Sequence, residues 1–274
     1  MSNLIQRLLT AVVLIPLVVA AILYLSWIWM GLLFGLALLA AAWEWTHLAG
    51  WQQLGIRLSY LAATAAVLAL STQLPPAWVL WVSLLTVAWW LYAFSRVIAV
   101  QRGAKMQGRS PLAWWLTGWI LVVPPWLALV ELHRDGGRGP VLVLIIMVLV
   151  WLADIGAYFA GRTFGKRKLA VNVSPGKSWE GVAGGAALAL IGGATYGWLE
   201  LPGSLLAFIA FMVLCAITVA VSVLGDLTES LFKRESNVKD SGGLLPGHGG
   251  VLDRIDSLTA AAPFFYVGTV VLGI

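Results

Sequence analysis

The sequence is poor in the side chains from which many catalytic and metal centres are built. It has one cysteine, Cys215, inside an apolar run, which excludes an intrachain disulfide. With only three scattered histidines beside it, a Cys/His zinc centre is excluded as well. Charge is also scarce: Asp, Glu, Lys and Arg make up 11% of the 274 residues, against roughly 25% in soluble globular domains. A mean hydropathy of +0.91 removes an ordinary soluble globule from consideration. No internal repeat of about 20 to 50 residues is visible, and no linker sets off a separate soluble domain.

Long apolar runs are abundant. A helix crossing a bilayer needs about 20 mainly apolar residues, and nine segments qualify: 8–26, 28–47, 58–74, 77–96, 112–131, 140–160, 181–199, 204–224 and 257–274. These predict an all-α integral membrane protein with about nine transmembrane helices and a cytoplasm-facing polar site in its C-terminal half. The first segment reads as a retained helix rather than a cleaved signal, because it is long, contains Pro16 and lacks a small-x-small site before a polar region. Residues 1–110 read as N-terminal hairpins serving as scaffold, and 111–274 as the catalytic region, within one membrane domain. With the N-terminus inside, only Arg134 and Arg138 of the 17 basic residues fall on the far side. That bias orients the chain and accounts for a pI near 9.6 without nucleic acid as a partner. Many of the 16 tryptophans, among them Trp27, Trp45, Trp78, Trp114 and Trp198, sit near span ends and read as interfacial anchors.

The chemistry is concentrated between Ser230 and Asp256, SLFKRESNVKDSGGLLPGHGGVLDRID. Leading into it, Ser222, Asp226, Glu229, Ser230 and Lys233 share one helical face, in a helix expected to run unbroken out of the eighth span. Asp253 and Asp256, three residues apart, share a face ahead of the last span. Two helix ends meeting at the membrane surface would bring Asp226 and Asp253 together. Carboxylates without thiolates select a hard cation, Mg²⁺ or Mn²⁺, which one or two carboxylates plus substrate phosphates suffice to hold. Lys233, Arg234, Lys239 and Arg254 offer charge to phosphate oxygens, and Gly242, Gly243, Gly247, Gly249 and Gly250 permit close backbone approach to an anion. His248 reads as a phosphate donor or loop-shaping residue rather than a base, and Asp240 as a partner of Lys239. Together these features imply a polyphosphate substrate and, because the loop borders the bilayer, a lipid phosphate.

Upstream, VNVSPGKSWEG imitates the end of a P-loop, but Val171 stands where the first glycine belongs and no β-strand is expected before it. It reads instead as a cytoplasmic loop whose Lys177, Ser174 and Ser178 present donors to an anion at the next helix start. Asp154, about two turns before the basic exit of the sixth span, is a supporting candidate through a cation or a lysine. Glu44, near the cytoplasmic end of the second span, carries an insertion cost of about 2.5 to 3.5 kcal/mol at mid-membrane. It reads as a structural hydrogen-bonding residue outside the site.

The spacing S-x-F-K-R-x4-K-D-x-G-x2-L-P-x-H-G-G-V-x-D-R-I-D, with the upstream ADIGAYFAGRTFGK and VSPGKSWEG blocks, resembles the signature of the phosphatidate cytidylyltransferases, or CDP-diacylglycerol synthases. The specific matches cover about the last 120 residues. The resemblance implies a multi-pass enzyme of a bacterial-type cytoplasmic (inner) membrane, active on the cytoplasmic side. It implies the joining of CTP and phosphatidic acid into CDP-diacylglycerol with release of pyrophosphate, a requirement for Mg²⁺ with K⁺ beside it, and a homodimer among membrane lipids. It puts the metal-binding aspartates at Asp226 and Asp253. Catalytic roles then fall to Lys233, Lys239, His248 and Asp256, the last orienting the metal shell or a lysine. Substrate phosphates fall to Lys177, Ser178, Arg234, Gly249, Gly250 and Arg254. A CTP-using lipid kinase or another lipid cytidylyltransferase is the enzymatic alternative. The intramembrane acids Glu44 and Asp154 raise a transporter or lipid-phosphate binding protein as the alternative from another class; against a transporter stands the missing internal repeat.

Overall fold

The computed structural model describes residues 3–106, 108–135, 137–200, 204–244 and 249–274, with side chains from residue 12 onward. Its helices are α1 (Asn3–Tyr24), α2 (Trp27–Leu48), α3 (Leu54–Ser71), α4 (Pro76–Gln101), α5 (Pro111–Arg134), α6 (Gly139–Phe164), α7 (Trp179–Glu200), α8 (Leu205–Glu235) and α9 (Leu252–Leu272). Strands β1 (Lys168–Ala170) and β2 (Ser174–Ser178) form an antiparallel pair between α6 and α7. Among the described residues eight helices, α2 to α9, are long and apolar enough to cross a membrane, and Val12–Tyr24 of α1 is a shorter apolar helix. The chain is thus an all-α, multi-pass membrane protein, and each expected span lies on one of these helices.

Contacts divide the chain into two compact units, each drawn from three stretches: Met1–Val79, Gly108–Leu144 and Lys233–Ile255 in the first, and Leu80–Gln107, Ile145–Phe232 and Asp256–Ile274 in the second. In the first unit α2, α3 and α5 pack on one another. Small residues on α2 admit indole rings from α5: Trp126 lies against Gly31 and Gly35 and donates its Nε1–H to the Gly31 carbonyl at 2.8 Å. Pro124 and Pro125 sit inside α5, tolerated where neighbouring helices surround the freed backbone. Trp45 and Trp114 do not anchor an interface as their positions in the sequence suggested. Both are buried, their rings 5.0 Å apart, and Trp45 Nε1 donates to the Trp114 carbonyl at 2.9 Å. A buried indole with its N–H satisfied is a core group.

Gly118 faces Trp45 and the Tyr60 hydroxyl, and a Cβ there would collide with both. Ala in place of Gly gains about 1 kcal/mol of helix propensity, but overpacking costs about 1 to 3 kcal/mol. Both neighbours are fully buried and cannot yield. Gly118→Ala is therefore expected to lower the midpoint of thermal unfolding in detergent by several degrees; an unchanged or raised midpoint would contradict this packing.

In the second unit glycines bring helices α6 and α7 into backbone contact, with Gly156 on the Gly184 carbonyl and Gly185 on that of Ala153. Gly225 of α8 likewise meets the backbone of Asp256 and Ser257 on α9. Helix α8 is unbroken through the polar stretch, as expected. Its 31 residues span roughly 46 Å at about 1.5 Å per residue, beyond the roughly 30 Å of bilayer hydrocarbon. The excess matches the ten residues from Asp226 to Glu235, so the acid begins where the apolar run ends.

Candidate active site

The second unit holds one cluster. The β1–β2 hairpin is anchored at its base: the Glu180 carboxylate accepts the backbone N–H groups of Lys166 and Arg167 at 3.1 to 3.3 Å, and Trp179 N–H reaches the Arg167 carbonyl at 2.9 Å. At its tip Asn172 is held by Gln101 and Val100 of α4. Lys177 on β2 is thereby presented to α8, where its Nζ forms an ion pair with Asp226 Oδ2. Both side chains keep about a quarter of their surface exposed. Ser230, one turn along α8, approaches Asp226 Oδ1 at 3.4 Å. Asp256 on α9 lies within electrostatic reach of Asp226, Lys177 and the exposed Asp154. Lys177, Asp226 and Asp154 border a cavity of about 590 Å³. Asp154, Lys177, Ser178 and Asp226 make part of its wall polar, while Ala157, Val182 and Val219 line an apolar part.

The first unit holds the other. Lys233, in the last turns of α8, donates to Asp253 Oδ1 at 2.8 Å, and both are largely buried. Asp253 occupies the first turn of α9, where a helix N-terminus favours negative charge. Its Oδ2 accepts backbone N–H groups from Gly250 at 2.9 Å and Ser241 at 3.2 Å. Gly249 has φ +84°, a conformation in which a side chain would be strained. Lys239, Asp240, Arg234 and Arg254 are exposed. Arg109 pairs with Glu235 at 2.8 Å, fixing the α8 terminus to the α5 approach.

Three expectations need revision. Lys177 and Ser178 are on a strand, not in an irregular loop, and β1 does precede the GKS triplet. The pair is an antiparallel hairpin of three and five residues, too short for an alternating pattern to be read, and it builds no P-loop. The Gly250 N–H is spent on Asp253, so this glycine closes the loop on a carboxylate instead of offering an anion its amide. Glu44 does make structural hydrogen bonds, but its partners are in the signature stretch itself: Ser241 Oγ at 3.2 Å and Leu252 N–H at 2.9 Å. Partners some 200 positions away left no local signal. His248 lies outside the described residues.

Among the described residues no three His, Cys, Asp or Glu side chains converge to hold an ion. The donors at Asp226 and Asp253 nonetheless fit Mg²⁺, which takes hard oxygens and is usually held by one or two carboxylates plus substrate phosphates. Each carboxylate already carries a cationic ammonium, from Lys177 and Lys233 respectively.

A multi-pass helical membrane protein with lysine–carboxylate pairs, an exposed run of cations and a part-apolar cavity has the equipment of an enzyme that works on phosphate esters at a membrane. The chain belongs to the cytidylyltransferase family, whose sequence pattern matches residues 5–272. It is 45% identical over 263 residues to a phosphatidate cytidylyltransferase of Pseudomonas aeruginosa, covering 95% of this chain and 94% of the relative. It is 41% identical over 287 residues to one of Haemophilus influenzae, covering 95% and 96%. A Brucella suis phosphatidate cytidylyltransferase is 38% identical over 275 residues.

Proposed function

We propose that this chain transfers the cytidylyl group of CTP to phosphatidic acid, leaving CDP-diacylglycerol in the membrane and releasing pyrophosphate. The observation that carries the reading is the cavity between α6, α7 and α8, with the Lys177–Asp226 pair in its polar wall and apolar side chains of membrane helices elsewhere. It suits a lipid whose head is a phosphate.

A phosphate oxygen of phosphatidic acid attacks the α-phosphorus of CTP, and the bond from that phosphorus to the bridging oxygen of pyrophosphate breaks. The nucleophile is a phosphate monoester with a second pKa of about 6, so it is anionic at neutral pH and needs no general base. The task left to the protein is to bring two anions together and stabilise charge on the departing pyrophosphate, which positioned cations and donors achieve. Lys177 and Ser178 serve one phosphate; Lys233, Lys239, Arg234 and Arg254 serve the others. Asp256 orients the cationic groups near Asp226. Asp226 and Asp253 are the residues that would hold Mg²⁺, with K⁺ as an accompanying ion. When bound, Mg²⁺ supplies neutralisation of the triphosphate and its leaving group. The basic bias of one side supports a cytoplasmic active site, the bacterial relatives support an inner membrane, and we include a homodimer in the proposal.

The purified chain in detergent, given CTP, phosphatidic acid and Mg²⁺, is expected to form CDP-diacylglycerol and to lose all turnover in EDTA. Turnover that persists in EDTA would remove the metal from the account. A folded protein with no turnover in Mg²⁺ would favour lipid-phosphate binding or transport.

A further inference from the structure

Glu44 is an ionisable side chain in an apolar helix, 3% exposed, and the reaction as described gives it no task. Its Oε2 accepts two hydrogen bonds, from Ser241 Oγ and from the Leu252 N–H. Ser241 stands at the start of the glycine-rich stretch and Leu252 at the first residue of α9, so one carboxylate ties these two residues together. Gly242 and Gly250 press on it so closely that a Cβ on either would collide with the carboxylate. Its Oε1 is buried beneath Gly242 with no hydrogen-bond partner among the described residues. Glu44, Ser241 and Gly242 also border a cavity of about 250 Å³, together with Arg57 and His47.

The same residues hold Asp253. Ser241 and Gly250, both in contact with Glu44, donate backbone N–H groups to its Oδ2, and Lys233 donates to Oδ1. Displacing Glu44 would free Ser241 and Leu252 and with them the amides that aim Asp253.

We propose that Glu44 is a positioning residue of the cytidylyl-transfer site, holding Ser241, Gly250 and Leu252 so that Asp253 and Lys233 face the substrate phosphates. This rests on the assignment of Asp253 and Lys233 to the catalytic machinery. Groups that orient a ligating side chain change activity by about 10- to 100-fold when removed. The test uses the full chain in detergent with Glu44→Ala, Glu44→Gln and Ser241→Ala, reading kcat, KM for both substrates, and hydrogen exchange of the amides in 241–252. Glu44→Ala is expected to lower kcat by about 30-fold, with KM for phosphatidic acid little changed. Exchange should rise at Ser241, Gly250 and Leu252 but not in α5. Glu44→Gln keeps an acceptor oxygen and is expected to restore most of the lost kcat, and Ser241→Ala to fall between the two. If Glu44→Ala does not fold, the glutamine and Ser241 variants carry the same comparison of kcat with local exchange. Unchanged kcat in the alanine variant, a loss of kcat without faster exchange in this segment, or faster exchange throughout the protein would overturn the proposal. So would a glutamine variant no better than alanine. Asp253→Asn separates the two readings. If it keeps full kcat, the Asp253 assignment fails whatever Glu44 does; if it is inactive while Glu44→Ala is active, only the role of Glu44 fails.

Discussion

Asp226→Ala is expected to lower CDP-diacylglycerol formation about a thousandfold while leaving helical content and thermal midpoint almost unchanged. The two effects separate because of where the residue sits. Asp226 and Lys177 are each about a quarter exposed, and a pair so placed contributes roughly 0 to 1 kcal/mol to stability. A thousandfold rate loss corresponds to about 4 kcal/mol of transition-state stabilisation. No packed apolar surface is lost, since the carboxylate borders the cavity rather than filling a core. The variant also leaves Lys177 without its ion-pair partner on α8, free to bind phosphate too tightly or at the wrong place. A rate within about tenfold of the parent would show that Asp226 is a structural partner of Lys177 and not part of the reaction.

Asp253→Ala is expected to reduce turnover on a similar scale, but with a clear loss of stability as well. Lys233 and Asp253 are only 15% and 10% exposed, and removing one partner of a largely buried pair costs about 3 kcal/mol. The Ser241 and Gly250 amides lose their acceptor at the same time. Asp253→Asn keeps an oxygen for these donors, so it should recover much of the thermal midpoint and little of the activity. Turnover recovering in parallel with the midpoint would mean that Asp253 acts through the fold alone. The comparison between Asp226 and Asp253 therefore distinguishes a carboxylate placed at a cavity from one that also closes a loop.

The spans were readable because a bilayer demands about 20 apolar residues from every crossing, a pattern few other constraints produce. The polar stretch was readable for the opposite reason: where charge is rare, Lys233, Lys239, Asp253 and Asp256 stand out. The continuation of α8 beyond its apolar run followed from the helical spacing of Asp226, Ser230 and Lys233, and Ser230 does approach Asp226. Other features depend on partners remote in sequence. Nothing near Glu44 indicates that Leu252 N–H will be its donor, and nothing near Trp45 distinguishes an interfacial indole from one packed at a tilt against Trp114. The β1–β2 hairpin is specified by its anchors, Glu180 and Gln101, more than by strand propensity.

The fate of labelled phosphorus tests the central claim most directly. With purified chain, phosphatidic acid and CTP labelled at the α-position, the label is expected in CDP-diacylglycerol; with CTP labelled at the γ-position, it is expected in pyrophosphate and not in lipid. Transfer of the γ-label to the lipid would make this a CTP-dependent lipid kinase and contradict cytidylyl transfer.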